Sequence, residues 1–169
     1  MRTRLGESGM TMVEVGITVA ILGILASISI PSFVKLMPRF RLGTATQTLG
    51  NELAMARMGA IAKSIDGEAT FDKDTESYAI SRTVGGAPYT RTTLASAADI
   101  VSVTYLDGSA APSTLQINAN GTTSVPLMKQ AVAITLATAD GSHKRRVLVW
   151  ATGRIHSQKW AGGTSWVAD

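Results

Sequence analysis

The sequence predicts an α+β protein. One long N-terminal helix is expected, its first half apolar enough to span a membrane and its second half packed on a small antiparallel β-sheet domain. Three observations predict this. Between Met10 and Ile30 the only charged residue is Glu14. Beyond Pro31, apolar or small residues recur at Leu42, Ala45, Leu49, Leu53, Ala56 and Ala60, at alternating spacings of three and four that mark one buried helix face. Later segments alternate with period two, and the turn pair Asp140-Gly141 joins two of them as an antiparallel hairpin.

The apolar run is long enough to cross a bilayer's hydrocarbon core, since a helix of about 20 residues spans about 30 Å. Arg2 and Arg4 precede it, which predicts that the N-terminus stays on the cytoplasmic side. A cleaved secretory signal would also have a basic start and an apolar middle. Here, however, the run is longer than such a middle, and Ala26-Ser27-Ile28-Ser29 makes a poor cleavage site. Glu14 has two readings. It lies about one turn from the run's start, where it can reach the interface and where the helix dipole favours an acid. Alternatively, a cation on another chain is its partner, because an unpaired carboxylate in the bilayer costs at least about 2.5 kcal/mol.

Gly9, Met10, Glu14, the apolar run and Pro31 together resemble the N-terminus of type IV pilins and of the related pseudopilins of type II secretion. The resemblance implies that residues 1–9 are a leader ending at Gly9, removed by a prepilin peptidase. Met10 would then be the new, N-methylated terminus and Glu14 the fifth residue of the mature chain, paired with a neighbour's terminal amine in the filament. It places the family's helix-bending proline at Pro31. Met10 stands where Phe is most common, and Ser8 where a basic residue is common. The expected organisation is a leader over 1–9, a transmembrane and assembly helix over 10–38, and a head over 39–169 that is helical to about 65 and β-sheet beyond.

Pro31 and Pro38 each remove a backbone donor and are expected to bend the helix. Gly43, Gly50 and Gly59 each lower its intrinsic stability by about 1 kcal/mol, so packing must hold it. Asp66-Gly67 ends the helical pattern. Strands are expected at Thr75–Thr83, Ile100–Leu106, Ser113–Asn118, Val132–Thr138 and Arg146–Thr152. Val132, Ile134 and Leu136 alternate with Ala133, Thr135 and Ala137, a period-two strand pattern. Gly85-Gly86-Ala87-Pro88 and Asp107–Pro112 read as loops. Ala56-Arg57 with Ala60, Asn120-Gly121, and Gly153-Arg154 are similar to the helix end, Gly turn and terminal Gly-Arg of the GspH/FimT group of minor pilins.

Chemistry is sparse. The chain has no cysteine, which excludes disulfides, thiolate zinc sites and cysteine nucleophiles. His143 and His156 have no metal-ligand spacing with another donor, and no phosphate loop, nucleophile elbow or zinc-protease motif occurs. No enzyme, metal or cofactor is therefore expected. Asn120-Gly121-Thr122 fits a glycosylation sequon but reads as a turn. Lys144, Arg145 and Arg146 stand in or beside one turn, while Arg154, His156, Lys159, Trp160 and Trp166 follow it. Cations interleaved with aromatics can bind nucleic acid; the alternative is a solvated hairpin end with tryptophans covering the sheet.

The resemblance implies a structural subunit of a type IV pilus, a minor pilin that primes assembly or forms the tip. A minor pseudopilin of a type II secretion system is the alternative within the family, and a DNA-binding pilus component is an alternative of another class. The implied partners are other minor pilins, the major pilin, the inner-membrane assembly platform, the prepilin peptidase and the membrane. The implied location is the inner membrane, with the head in the periplasm.

Overall fold

The structure, a computed structural model, describes residues 10–94 and 98–169; the leader expected at residues 1–9, with Gly9, lies outside them. The chain divides at Met37 and Pro38 into two compact units, which share one helix, α1 (Met12–Lys63).

In the first unit Thr11 caps the helix, its Oγ1 accepting the Glu14 backbone N–H at 3.2 Å. With Glu14 three residues on, this is half of a capping box. Residues Met12–Ile30 have a mean hydropathy of 2.2, and none of this surface is buried by the rest of the chain. Its hydroxyls are satisfied locally: Thr18 donates to the Glu14 carbonyl at 2.8 Å, Ser27 to Ile24 at 2.7 Å and Ser29 to Leu25 at 2.8 Å. A segment whose hydroxyls are met within one turn suits hydrocarbon, which offers no partners. The helical assignment continues unbroken through Pro31 and Pro38.

In the second unit, α1 buries Leu42, Ala45, Leu49, Leu53 and Ala60, the face expected from their spacing. It ends at Lys63, followed by Ser64 in the left-handed conformation (φ 52°). Nine strands follow: β1 (Gly67–Asp72), β2 (Ser77–Ser81), β3 (Pro88–Thr93), β4 (Asp99–Tyr105), β5 (Thr114–Ile117), β6 (Ala131–Ala137), β7 (Lys144–Trp150), β8 (Ile155–Gly162) and β9 (Ser165–Ala168). They form two antiparallel sheets, ordered β3-β2-β1-β5 and β4-β6-β7-β8-β9. Leu49 and Leu53 of the helix share one core with Phe71, Tyr78 and Ile80 of the first sheet and Ile134, Leu136 and Val147 of the second.

The sequence reading missed four strands. β1 was hidden by the turn signal Asp66-Gly67, yet Gly67 opens a central strand paired on both sides, to β2 and to β5. β3 starts at Pro88, part of the expected loop; a proline is tolerated there because β3 is an edge. β8 and β9 replace the expected tail; β8 is largely polar and β9 only four residues long, so neither carried enough apolar alternation to read as a strand. All seven residues of β6 are buried. Ala131, Ala133 and Thr135 lie opposite Trp150, Leu148 and Arg146 of β7, so tall neighbours cover the small side chains.

Candidate functional site

Three groups of residues were candidates: the N-terminal assembly segment, the C-terminal cations, and the three short motifs of the head. Met10 and Glu14 are both exposed at the start of α1. Among the described residues Glu14 has no ion-pair partner; its structural role is local, its backbone N–H bonded to the Thr11 cap. The carboxylate is left available on the helix's first turn.

The C-terminal cations do not form one patch. Lys144, Arg145 and Arg146 lie in β7, not in the turn, and a strand sends successive side chains to opposite faces. Arg145 faces the helix side with Val147, Val149 and, across β8, Lys159. Its guanidinium carbon would lie 3.5 Å from a Cβ at Gly43, and Nη1 donates to the Asp169 carboxylate. Arg154 is exposed in the turn between β7 and β8.

Lys144, Arg146 and His156 share the outer face with Leu148, Trp150, Gln158 and Trp160. There the Lys144 ammonium lies 5.3 Å from the Trp160 ring centre, and the Arg146 guanidinium 4.3 Å from that of Trp166. Such contacts contribute about 0.5–1 kcal/mol each at exposed sites. Arg146 Nε also donates to Gln158 Oε1 at 2.9 Å. Trp150 stacks on His156 with ring centres 6.1 Å apart, and Trp150 Nε1 and His156 Nδ1 are buried with no hydrogen-bond partner among the described residues. Burial lowers the His156 pKa, and the nearby Arg154 and Arg146 push the same way. This face therefore holds a neutral imidazole among cations and rings, with two orphaned ring nitrogens. Sequence reasoning missed Trp150; its two-residue offset from Leu148 on β7 was the available signal.

The head motifs converge. Arg57 Nε donates to the Gly121 carbonyl at 2.7 Å. Gly153 packs so tightly on the pair that an added Cβ would sit 1.9 Å from that carbonyl and 2.4 Å from Arg57 Nε. Both glycines have positive φ, 81° and 78°, where a side chain is disfavoured. The same turn is tied to the helix end, since Asp66 Oδ1 accepts the Ala119 N–H at 2.6 Å. It is tied to β7 by Thr123, which donates to the Ala151 and Trp150 carbonyls, each at 3.0 Å. This cluster latches α1 to both loops and fixes the turn that carries Arg154.

His143 sits in the β6–β7 turn with Nδ1 2.7 Å from Ser142 Oγ. The adjacent Asp140 carboxyl is held down at about 2 by the Thr138 hydroxyl and the Ser142 backbone N–H. Among the described residues no group of His, Asp and Glu is placed to hold a metal.

No family model and no curated protein matches the sequence. Among solved structures, the minor pseudopilin EpsH of the type 2 secretion system of Vibrio cholerae is similar, with a TM-score of 0.56 at 15% identity over 72% of this chain and 99% of that one. The type IV minor pilin FimU of Pseudomonas aeruginosa gives 0.51 at 20% identity, over 72% of this chain and 90% of that one. The chain thus has the type IV pilin-like fold, a long N-terminal helix with an apolar first part and a second part packed on antiparallel sheets.

Proposed function

We propose that this chain is a minor pilin, a structural subunit that primes assembly of a type IV pilus or forms its tip. A prepilin peptidase cuts it after Gly9, Met10 is methylated, and the mature subunit waits in the inner membrane with its head in the periplasm. The observation that carries this reading is α1 itself. One helix supplies both an apolar span with none of its surface covered and the central core element of a sheet-bearing head. This exposed span of 19 residues, strongly apolar on average, needs lipid or other helices around it, and a filament bundle provides the second of these.

Glu14 then has a mechanism. In the bilayer the carboxylate sits at the helix start near the interface; in a water-poor helix bundle it pairs with the terminal amine of a neighbouring subunit. Removing one member of a buried pair costs about 3–5 kcal/mol. Glu14→Ala is expected to leave insertion and cleavage intact and to deplete the subunit from purified filaments. Wild-type amounts of the variant in filaments would refute this role. Pro31 and Pro38 supply the flexure that lets the span adjust between bilayer and bundle, on the general tendency of helix prolines to bend.

The similarity to a pseudopilin supports a second reading, a minor pseudopilin of a type II secretion system. Cross-linking in intact membranes followed by mass spectrometry separates the two, since recovery of secretion-system subunits in place of pilins would overturn the pilus assignment. The outer face of the five-stranded sheet also supports DNA as a partner, through Lys144, Arg146 and His156 beside Trp150 and Trp160. Arg145 and Lys159 face the other way and Arg154 lies in the turn, so a small cation count, and a shallow salt dependence, is expected. Absence of any salt-sensitive gel shift with duplex DNA at micromolar protein would remove this reading.

A further inference from the structure

A groove of about 330 Å³ opens on the head where the last turns of α1 meet the first sheet. Met55, Gly59, Ala60 and Lys63 line it from the helix, and Arg82 and Tyr89 from the sheet. Its lining is mostly apolar, with the hydroxyls of Ser81 and Thr83 and two cations among its polar groups, and it contains no carboxylate. Neither Lys63 nor Arg82 is ion-paired among the described residues; the Arg82 guanidinium lies 4.9 Å from the Tyr89 ring centre. Exposed Met58, Ile61 and Val84 extend the apolar surface around that end of α1.

Gly59 forms part of the helix wall of the groove. A helical glycine costs about 1 kcal/mol relative to alanine, and where a close approach within the chain requires one, the loss is compensated. At Gly59 nothing in the chain lies within 4 Å of where a Cβ would sit. The bare backbone, here in the wall of the groove, leaves room for a group from outside.

We propose that this groove receives an amphipathic segment of another protein chain, with apolar side chains seated on Met55, Gly59 and Ala60 and carboxylates at Lys63 and Arg82. Charge complementarity selects the occupant: neither cation is ion-paired among the described residues, and the groove's lining has no acid of its own. Met55, exposed in the groove, offers the side chain that best adapts to a docked helix. This inference does not depend on the chain entering a filament.

The full chain in neutral phosphatidylcholine nanodiscs provides the test, with fluorescence anisotropy as readout. The probe is a synthetic amphipathic helix with leucines at i, i+4 and i+7 and glutamates at both ends; the control carries lysines in their place. The glutamate peptide is expected to bind and to weaken with salt. Lys63→Glu with Arg82→Glu should weaken it by about tenfold or more. Gly59→Leu should abolish binding while leaving the melting temperature unchanged or higher, because open space surrounds that position. The proposal is overturned if the two peptides bind alike, if Gly59→Leu binds normally, or if neither peptide binds. It is equally overturned if only dodecanoate binds, or if the sole association seen is between copies of this chain.

Discussion

Gly153→Ala is the substitution with the largest expected effect for the smallest chemical change. At φ 78° an alanine costs about 1–2 kcal/mol from its backbone conformation alone. Its Cβ would also fall 1.9 Å from the Gly121 carbonyl oxygen and 3.1 Å from Arg57 Cδ, so the turn or the arginine must move. Either displacement breaks the 2.7 Å bond from Arg57 to Gly121, a hydrogen bond from a charged donor worth about 1.5–3 kcal/mol. The total is about 2.5–5 kcal/mol, a large share of a typical domain stability of about 5–15 kcal/mol. For a head of this size that lowers the melting temperature by about 10–20 °C. The control is Gly141→Ala, also at positive φ (68°) but in open space, which should lose only the conformational part. Thermal melts followed by tryptophan fluorescence would measure both, with Trp150 three residues from the mutated glycine. If Gly153→Ala melted within about 3 °C of Gly141→Ala, the latch would carry no energy and the reasoning would fail.

Other substitutions separate glycines by environment and titrate the buried rings. Gly50→Ala, in a helix with nothing within 4 Å of the new methyl, should stabilise the head by about 1 kcal/mol, read as an increased urea midpoint. Burial pushes the Tyr78 pKa from 10 up to about 12. Its contribution to stability is therefore intact below pH 10 and lost as pH rises through about 12; tyrosinate absorbance should show one late-titrating tyrosine that appears with unfolding. The His156 pKa is lowered from 6.5, so its contribution is intact above pH 6.5 and is lost as pH falls below that value. Denaturation midpoints compared between pH 7 and pH 5 should drop less for His156→Gln than for the unmodified chain.

Legibility differed by element. The helix face at Leu42, Ala45, Leu49, Leu53 and Ala60 was read correctly, because a 3.6-residue period is a local property that burial merely realises. The β6–β7 hairpin was also readable, since Asp140-Gly141 sets the turn and the pairing Ile134 with Val147 follows from it. Strands β1, β3, β8 and β9 were not. Their sequences are polar or broken by Gly and Pro, and their partners lie on other segments, so pairing and not propensity makes them strands. Reading β7 from Arg146 onward left Lys144 and Arg145 in a turn; beginning it at Lys144 splits the cations between two faces.

The sequence by itself determined the apolar span, the position of Glu14 in the first helical turn, the buried stripe of α1 and the one hairpin. All of these are set by periodicity or by neighbours within a few residues. The tertiary structure alone decided that the strands form two sheets, that Arg145 turns inward to Asp169 while Arg146 turns outward to Trp166, and that Arg57, Gly121 and Gly153 meet. Each motif was visible in the sequence, but a hydrogen bond across 64 residues exists only once the packing of helix and sheets has brought its ends together.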